Sequence, residues 1–482
     1  MLAPGQRHWL RGTSSAWLGV AAALLLGVAV AVAGPALSAI GLLAIVLTGV
    51  IPVLLVQPGR ALKLFFVVIS IFYYLETIMG YKIGLSISTI SLLSRWQIVL
   101  LVAVAIRSIQ MRGGLRLEGR ALDLLMLAFA VWTLLYTPLA PSFLAGVYGA
   151  NALLQFQVAY WTGRVAFAGV LKSTDFLFQT GAVLAVFGVL QPVLLGPNFY
   201  IVTANHLPDT YLQTTGSGLP RAASLLGSEG YFGSFLMILL PLALARMIQG
   251  GDTLDNSSWQ RRGRIFTILA MGAGLIASFH RSSWAGAGIA CMVVVLFSRK
   301  RLGTLVLTVA VVGAGLIVAD QFFHYTDVYN QVASQQDFSA NNHLDRAQEY
   351  ITLAFQHPLG LGLGAAGNTV AFLGNSDAPG IEGGYSQVVL QLGVVGLVLF
   401  IAFHVVATVS LLARARLARD RPGEWILVGA AAGVLGAIFF NLFLPFETFN
   451  PALMILWLFV GAATSWATVP AKEVAALTGA PA

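Results

Sequence analysis

Apolar runs long enough to cross a bilayer recur along the whole chain, and no other feature constrains its fold as tightly. A spanning helix needs about 20 mostly apolar residues, because inside lipid every backbone polar group must be satisfied within the segment. By that measure about fourteen spans can be read: 15–33, 36–56, 64–79, 93–106, 121–138, 147–168, 176–195, 229–248, 265–279, 284–298, 302–319, 385–411, 425–443 and 452–468. The segment at 93–106 begins near Arg95, and the one at 147–168 is polar for a span. Charged residues make up only 10% of the 482, against about 25% in soluble proteins. A string of soluble domains is thereby excluded. The expected fold class is an all-α polytopic integral membrane protein of about 12–14 transmembrane helices, with 1–482 as a single transmembrane domain. Cys291 is the only cysteine, which excludes a disulfide framework and a cysteine metal site.

The excess of basic residues, 27 against 19 acidic, is first a statement about topology. With the N-terminus inside, all basic residues except Lys82, Arg95, Arg164, Arg221, Arg281 and Arg346 fall in inside loops. Arg164 sits near the inner end of its span. Lys/Arg bias in short loops sets orientation, so both termini are expected in the cytoplasm. The first apolar run is expected to be a span and not a cleaved signal, since another span follows almost at once. Two outer connections are long, 196–228 and 320–384. Loops longer than about 12–15 residues are usually functional or disordered. The outer face, periplasmic in a bacterial inner membrane, is therefore the expected working face.

Few basic residues lie on that face, and three have suggestive settings. Arg221 lies in GLPRAASLLGSEGYFGSFL, Arg281 in the short turn ASFHRSSWAG, and Arg346 in NNHLDRAQEYI. Guanidinium stays protonated and offers a planar fork suited to phosphate oxygens. Ionisable groups at membrane depth are costly and are functional candidates by default. The alternative for each is a contact with lipid headgroups or with a nearby carboxylate. That alternative is strongest for Arg346, beside Asp345 and Glu349, and weakest for Arg281. Among the outer carboxylates, Glu382 stands at a glycine-rich turn before a span, and Glu229 at the start of another. Glycine neighbours allow a ligand close approach, and partial burial can raise a carboxylate toward the range of a general base. A helix N-terminal acid that complements the macrodipole explains both residues equally well.

Other features carry less. GLGLGAAG, Gly360 to Gly367, matches a dinucleotide-binding pattern without the strand–helix context that pattern requires, and reads as a flexible turn. His280, His324, His343 and His357 share the outer face without ligand-like spacing, so no zinc or other metal site is expected. His404 reads as a core histidine bonded to a neighbouring helix. Gly272, Gly274, Gly286 and Gly288 read as close contacts between helices.

Four segments in order resemble the O-antigen ligase and O-antigen polymerase superfamily of bacterial envelope glycosyltransferases. RAASLLGSEGYFGSFLMILLPLALA is similar to the family's arginine, small turn and span, and SFHRSSWAG to its Ser-Arg-Gly/Ser turn. RAQEYITLAFQHPLGLGLGAAG resembles its loop of arginine, aromatic, proline and Gly-x-Gly, here Arg346, Tyr350, Pro358, Gly360 and Gly362. EGGYSQVVLQLGVVG fits its Tyr-x-Gln and Gly-x-x-Gly pattern through Tyr385, Gln387, Gly393 and Gly396. The family's ligases commonly have a histidine proposed as catalytic where this chain has Glu382, and an asparagine where it has Gly383.

The resemblance implies a GT-C-like membrane enzyme whose active site faces the periplasm. It would be a metal-independent, inverting glycosyltransferase with no cofactor. The donor would be an undecaprenyl-diphosphate-linked glycan, and the acceptor a glycan or lipid A core. The bilayer is the remaining partner, and nucleic acid has no part. The implied catalytic residues are Glu382, Arg281 and Arg221, and the substrate-binding ones Arg346, Glu229, Tyr385 and His280. Loss of the ligase histidine favours a polymerase of O-antigen or exopolysaccharide repeat units over a ligase. A glycolipid transporter or flippase is the rival from another class. It would place its charges near the bilayer midplane and show related halves, and neither is visible.

Overall fold

The computed structural model describes residues 58–81, 95–112, 120–194, 221–249, 258–298, 305, 352–353, 355–366, 383–418, 421, 423–446 and 450–468. Within them the chain is helical. Eleven α-helices are described: α1 (Pro58–Tyr81), α2 (Trp96–Arg112), α3 (Ala121–Tyr136), α4 (Phe143–Val165), α5 (Phe167–Leu194), α6 (Glu229–Gln249), α7 (Ser258–Ala277), α8 (Arg281–Phe297), α9 (Gly384–Leu417), α10 (Trp425–Phe440) and α11 (Asn450–Trp466). Each coincides with one of the apolar runs. The runs at 15–33, 36–56 and 302–319 lie outside the described residues, as does most of the two long connections. Five of these helices are long and apolar enough to cross a membrane, and four more are shorter but apolar. The chain is a multi-pass membrane protein.

Helix α11 is the central pillar. Every residue from Pro451 to Trp466 is buried, as expected of a helix that is apolar all round. Lipid tails are as apolar as leucine, so helices in a bilayer associate through close packing and polar contacts. Small residues supply the packing. A Cβ on Gly163 of α4 would collide with the Leu458 carbonyl of α11, and one on Gly461 with the Tyr160 carbonyl of α4. At the α8–α10 crossing, a Cβ on Gly436 would stand 2.9 Å from the Gly286 carbonyl. Gly274 likewise packs on Ala185 of α5, whereas among the described residues nothing lies within 4 Å of a Cβ built on Gly272 or Gly288. Two of the four expected glycine contacts, those of Gly274 and Gly286, are seen among the described residues.

His404 is buried and packs against Phe400, Phe403 and Trp457. Its Nδ1 pairs with the Phe400 carbonyl of its own helix at 2.9 Å. The core placement expected from the sequence holds, but the partner is one turn back and not on a neighbouring helix.

The run at 385–411 is broken inside one helix. Gly393 of α9 has φ 70° and ψ −173°. Two backbone bonds from the segment at 358–361 replace those lost: Val394 N–H donates to the Pro358 carbonyl at 2.9 Å, and Leu361 N–H to the Leu390 carbonyl at 2.6 Å. The Gly360–Gly364 segment is thus docked and not flexible. Gln391, fully buried, accepts from Gly364 N–H at 3.1 Å and donates to the Ala366 carbonyl at 2.9 Å.

Candidate active site

The segment carrying Arg221 is pinned to two helices. Ala222 N–H donates to the Ala277 carbonyl at the end of α7, at 3.0 Å. Ala223 and Ser224 N–H both donate to Gln191 Oε1 of α5, at 3.3 and 2.8 Å. Ser224 Oγ donates to the Leu184 carbonyl at 2.7 Å. Ser224 (φ 52°) and Gly227 (φ 85°) both take left-handed backbone, which closes a one-turn 3₁₀ helix before α6. Ser228 then caps α6 by accepting from Tyr231 N–H at 3.1 Å. Glu229 occupies the first position of α6 and interacts electrostatically with Arg221.

The turn carrying Arg281 is held as firmly. Phe279 has φ 52°, a conformation that costs a residue with a Cβ about 1–2 kcal/mol. Ser278 Oγ donates to the Leu275 carbonyl at 2.6 Å, and the Trp284 indole to the same carbonyl at 2.6 Å. His280 Nδ1 lies 2.7 Å from Ser283 Oγ, and its ring stacks on Phe440 at 5.6 Å. Gly233 of α6 lets this turn approach: a Cβ there would meet His280, Ser278 and Ser283 at 2.9–3.0 Å. Arg281 is the first residue of α8 and is exposed.

The start of α9 completes the group. Gly384 N–H donates to the Asn441 carbonyl at 2.9 Å. The Tyr385 hydroxyl donates to the Ile438 carbonyl of α10 at 2.8 Å. Gly383 has φ 94°. The chain leading into this cap is Glu382, which lies outside the described residues, as does Arg346.

A continuous path of contacts therefore joins Arg221, Glu229, His280, Arg281 and Tyr385 at one end of the bundle. It runs from Ala222 to Ala277, from His280 to Phe440, and from Asn441 to Gly384. Tyr385 commits its proton to α10, so its observed part is to fix where α9 begins.

A second polar group lies beside this path, and only Arg95 of it stands out in the sequence. The Tyr73 ring of α1 packs tilted against Tyr231, centres 4.6 Å apart, and its hydroxyl accepts from Gln97 Nε2 at 3.0 Å. The Arg95 guanidinium sits 5.7 Å from the Tyr148 ring centre and interacts electrostatically with Glu76. Asn450, the first residue of α11, hydrogen-bonds Tyr73 and accepts from Gln155 Nε2. The overlooked signal was Glu76, a carboxylate near the end of an otherwise uncharged apolar run. These side chains come from five helices, and no spacing along the chain brings them together.

The two ends of the helices differ in charge. Arg112, Arg164, Arg246, Arg414 and Arg416 fall in the last turns of α2, α4, α6 and α9. At the other end, Arg95 precedes α2, Glu229 opens α6 and Gly384 opens α9.

Residues 266–401 match the family model described as O-antigen ligase. The match includes the turn at 278–280, α8, the docked glycine segment and α9 past its break; Arg221, Glu229 and the Tyr73–Arg95 group lie outside it. No curated protein matches the chain. The family match supports the O-antigen ligase and polymerase superfamily, and with it a membrane glycosyltransferase of that type.

Proposed function

We propose that the chain transfers an undecaprenyl-diphosphate-linked glycan to an acceptor hydroxyl at the periplasmic face, extending O-antigen or exopolysaccharide repeat units. The observation that supports this most is the backbone bond from Ala222 to Ala277. It ties the segment bearing Arg221 to the helix end just before the turn bearing Arg281. Two guanidiniums held on adjoining backbones suit a diphosphate. The acceptor oxygen attacks the anomeric carbon from the face opposite the leaving group, and the sugar–phosphate bond breaks. The electron pair departs on the lipid diphosphate, where Arg221 and Arg281 stabilise it. Such placed charges act strongly where water is scarce. Glu382 takes the acceptor proton. One-step displacement inverts the anomeric centre and uses no metal. Arg346 closes over the glycan from the long loop, while Glu229 and His280 line the donor side.

Beside the site, Tyr231, half-buried against the buried Tyr73, joins Glu76, Arg95 and Asn450 in a patch whose hydrogen-bonding groups suit sugar hydroxyls. In this reading it holds the acceptor.

Arg281→Ala should lose about 10²–10³-fold in transfer while remaining folded and inserted; full activity in that variant would sink the scheme. Glu382→Gln separates the proton acceptor from the phosphate clamp, and normal turnover would place the base elsewhere. The family description favours the ligase as a second reading, against the missing histidine. Purified protein given only lipid-linked repeats decides: a polymerase lengthens them, and a ligase leaves them unchanged until lipid A core is supplied.

A further inference from the structure

At the opposite end of the bundle, three arginines gather around one carboxylate. Arg164, in the last turn of α4, has a side chain only 6% exposed and pairs with Asp123 of α3 at 2.8 Å. Its Nη1 donates to Ser465 Oγ of α11 at 3.1 Å. The Tyr160 hydroxyl donates to the second Asp123 oxygen, so both oxygens of that carboxylate are engaged. Arg120 precedes α3 and donates to the Thr464 carbonyl at 2.7 Å. Arg414, in the last turn of α9, interacts electrostatically with Arg120, Arg164, Tyr160 and Asp123. Asp123 is the one carboxylate among the described residues that acts on it.

Two buried nitrogens of this group, Arg164 Nε and Arg414 Nη1, have no hydrogen-bond acceptor among the described residues. A buried donor left unmade costs about 1–3 kcal/mol, and more when charged. Arg164 and Arg414 thus flank one fully engaged carboxylate, each with a buried donor that meets no acceptor among the described residues, and such a place suits an anion. Phosphate oxygens match the guanidinium fork.

The surroundings say how that phosphate is carried. Leu124, next to Asp123, is 57% exposed, and Leu417, one turn from Arg414, is 88% exposed. Arg414, itself half-buried, is thus flanked by apolar surface, which in a membrane faces acyl chains. A phosphate borne on a lipid satisfies both the arginines and that surface. We propose that Arg120, Arg164 and Arg414 bind the phosphate of an anionic lipid headgroup between α3, α4, α9 and α11. Helix α11 separates this place from the candidate active site: Asn450 and Ser465 stand at its two ends, about 22 Å apart.

The test uses the full chain in nanodiscs of phosphatidylcholine with or without phosphatidylglycerol, with retained lipid counted by native mass spectrometry. Wild type should hold phosphatidylglycerol in preference to phosphatidylcholine. Arg414→Gln and Arg120→Gln should each weaken retention about fivefold, as expected for one arginine at a membrane surface. Both leave the Arg164–Asp123 pair in place, and unchanged unfolding temperature in phosphatidylcholine alone certifies the fold. Equal retention by wild type and both variants would overturn the proposal, as would a lack of preference in wild type alone. A third arm adds inorganic phosphate to phosphatidylcholine discs. If it stabilises wild type as well as phosphatidylglycerol does, and the variants not at all, the site takes a soluble anion and the lipid assignment falls.

Discussion

Gln191 touches no expected substrate, yet its side-chain oxygen helps decide where Arg221 goes. It accepts from the two backbone N–H groups that follow Arg221, Ala223 and Ser224. Gln191→Leu would orphan both donors in a buried turn, at a cost of about 1–3 kcal/mol. Transfer activity should fall with it, and an activity assay on protein of verified fold measures that drop. Gln191→Glu keeps an acceptor and should retain more activity than the leucine variant. Arginines such as Arg221 and Arg281 were legible in the sequence because a permanent cation in apolar surroundings is conspicuous. Gln191 was not, since its partners lie more than thirty residues away and a glutamine in a span suggests nothing by itself. Tyr385 was legible as a member of a motif, but the Ile438 carbonyl that takes its proton was not.

At the scale of elements, the length of the apolar runs locates the helices and is blind to what happens inside α9. Apart from Gln391 the residues beside Gly393 are apolar, and the run of high hydropathy passes through the break. The break forms because the backbone at Pro358 and Leu361 supplies the missing donor and acceptor. The Trp132 indole and the Tyr136 hydroxyl hold the same region, on the Leu392 and Leu359 carbonyls. The glycine run read as flexible is the other half of this joint. Gly393→Ala places a Cβ at positive φ and within 2.7 Å of the Pro358 carbonyl oxygen. We expect about 1–3 kcal/mol of destabilisation and faster amide exchange across residues 357–366. Unchanged exchange there would show that the docking does not depend on the break.

Across the whole molecule, the bundle hangs on α11 and its contact with α4. Gly461→Val drives a branched side chain into the Tyr160 carbonyl and should cost about 3 kcal/mol or more, seen as a lower unfolding temperature in detergent. The charge difference between the two ends predicts sidedness. In a Cys291→Ser background, a cysteine at Ser282 should react with an impermeant thiol reagent added outside the cell, and one at Leu417 only after permeabilisation. The reverse pattern would invert the proposed orientation. The central claim is that Arg221 and Arg281 act on one leaving diphosphate. A double-mutant cycle on transfer, with Arg221→Ala, Arg281→Ala and the double variant, tests it most directly. Groups that act as a unit are strongly non-additive, so each single variant should lose about 10²–10³-fold and the double variant little more. Losses that multiply in the double variant, or a single variant that transfers normally, would contradict it.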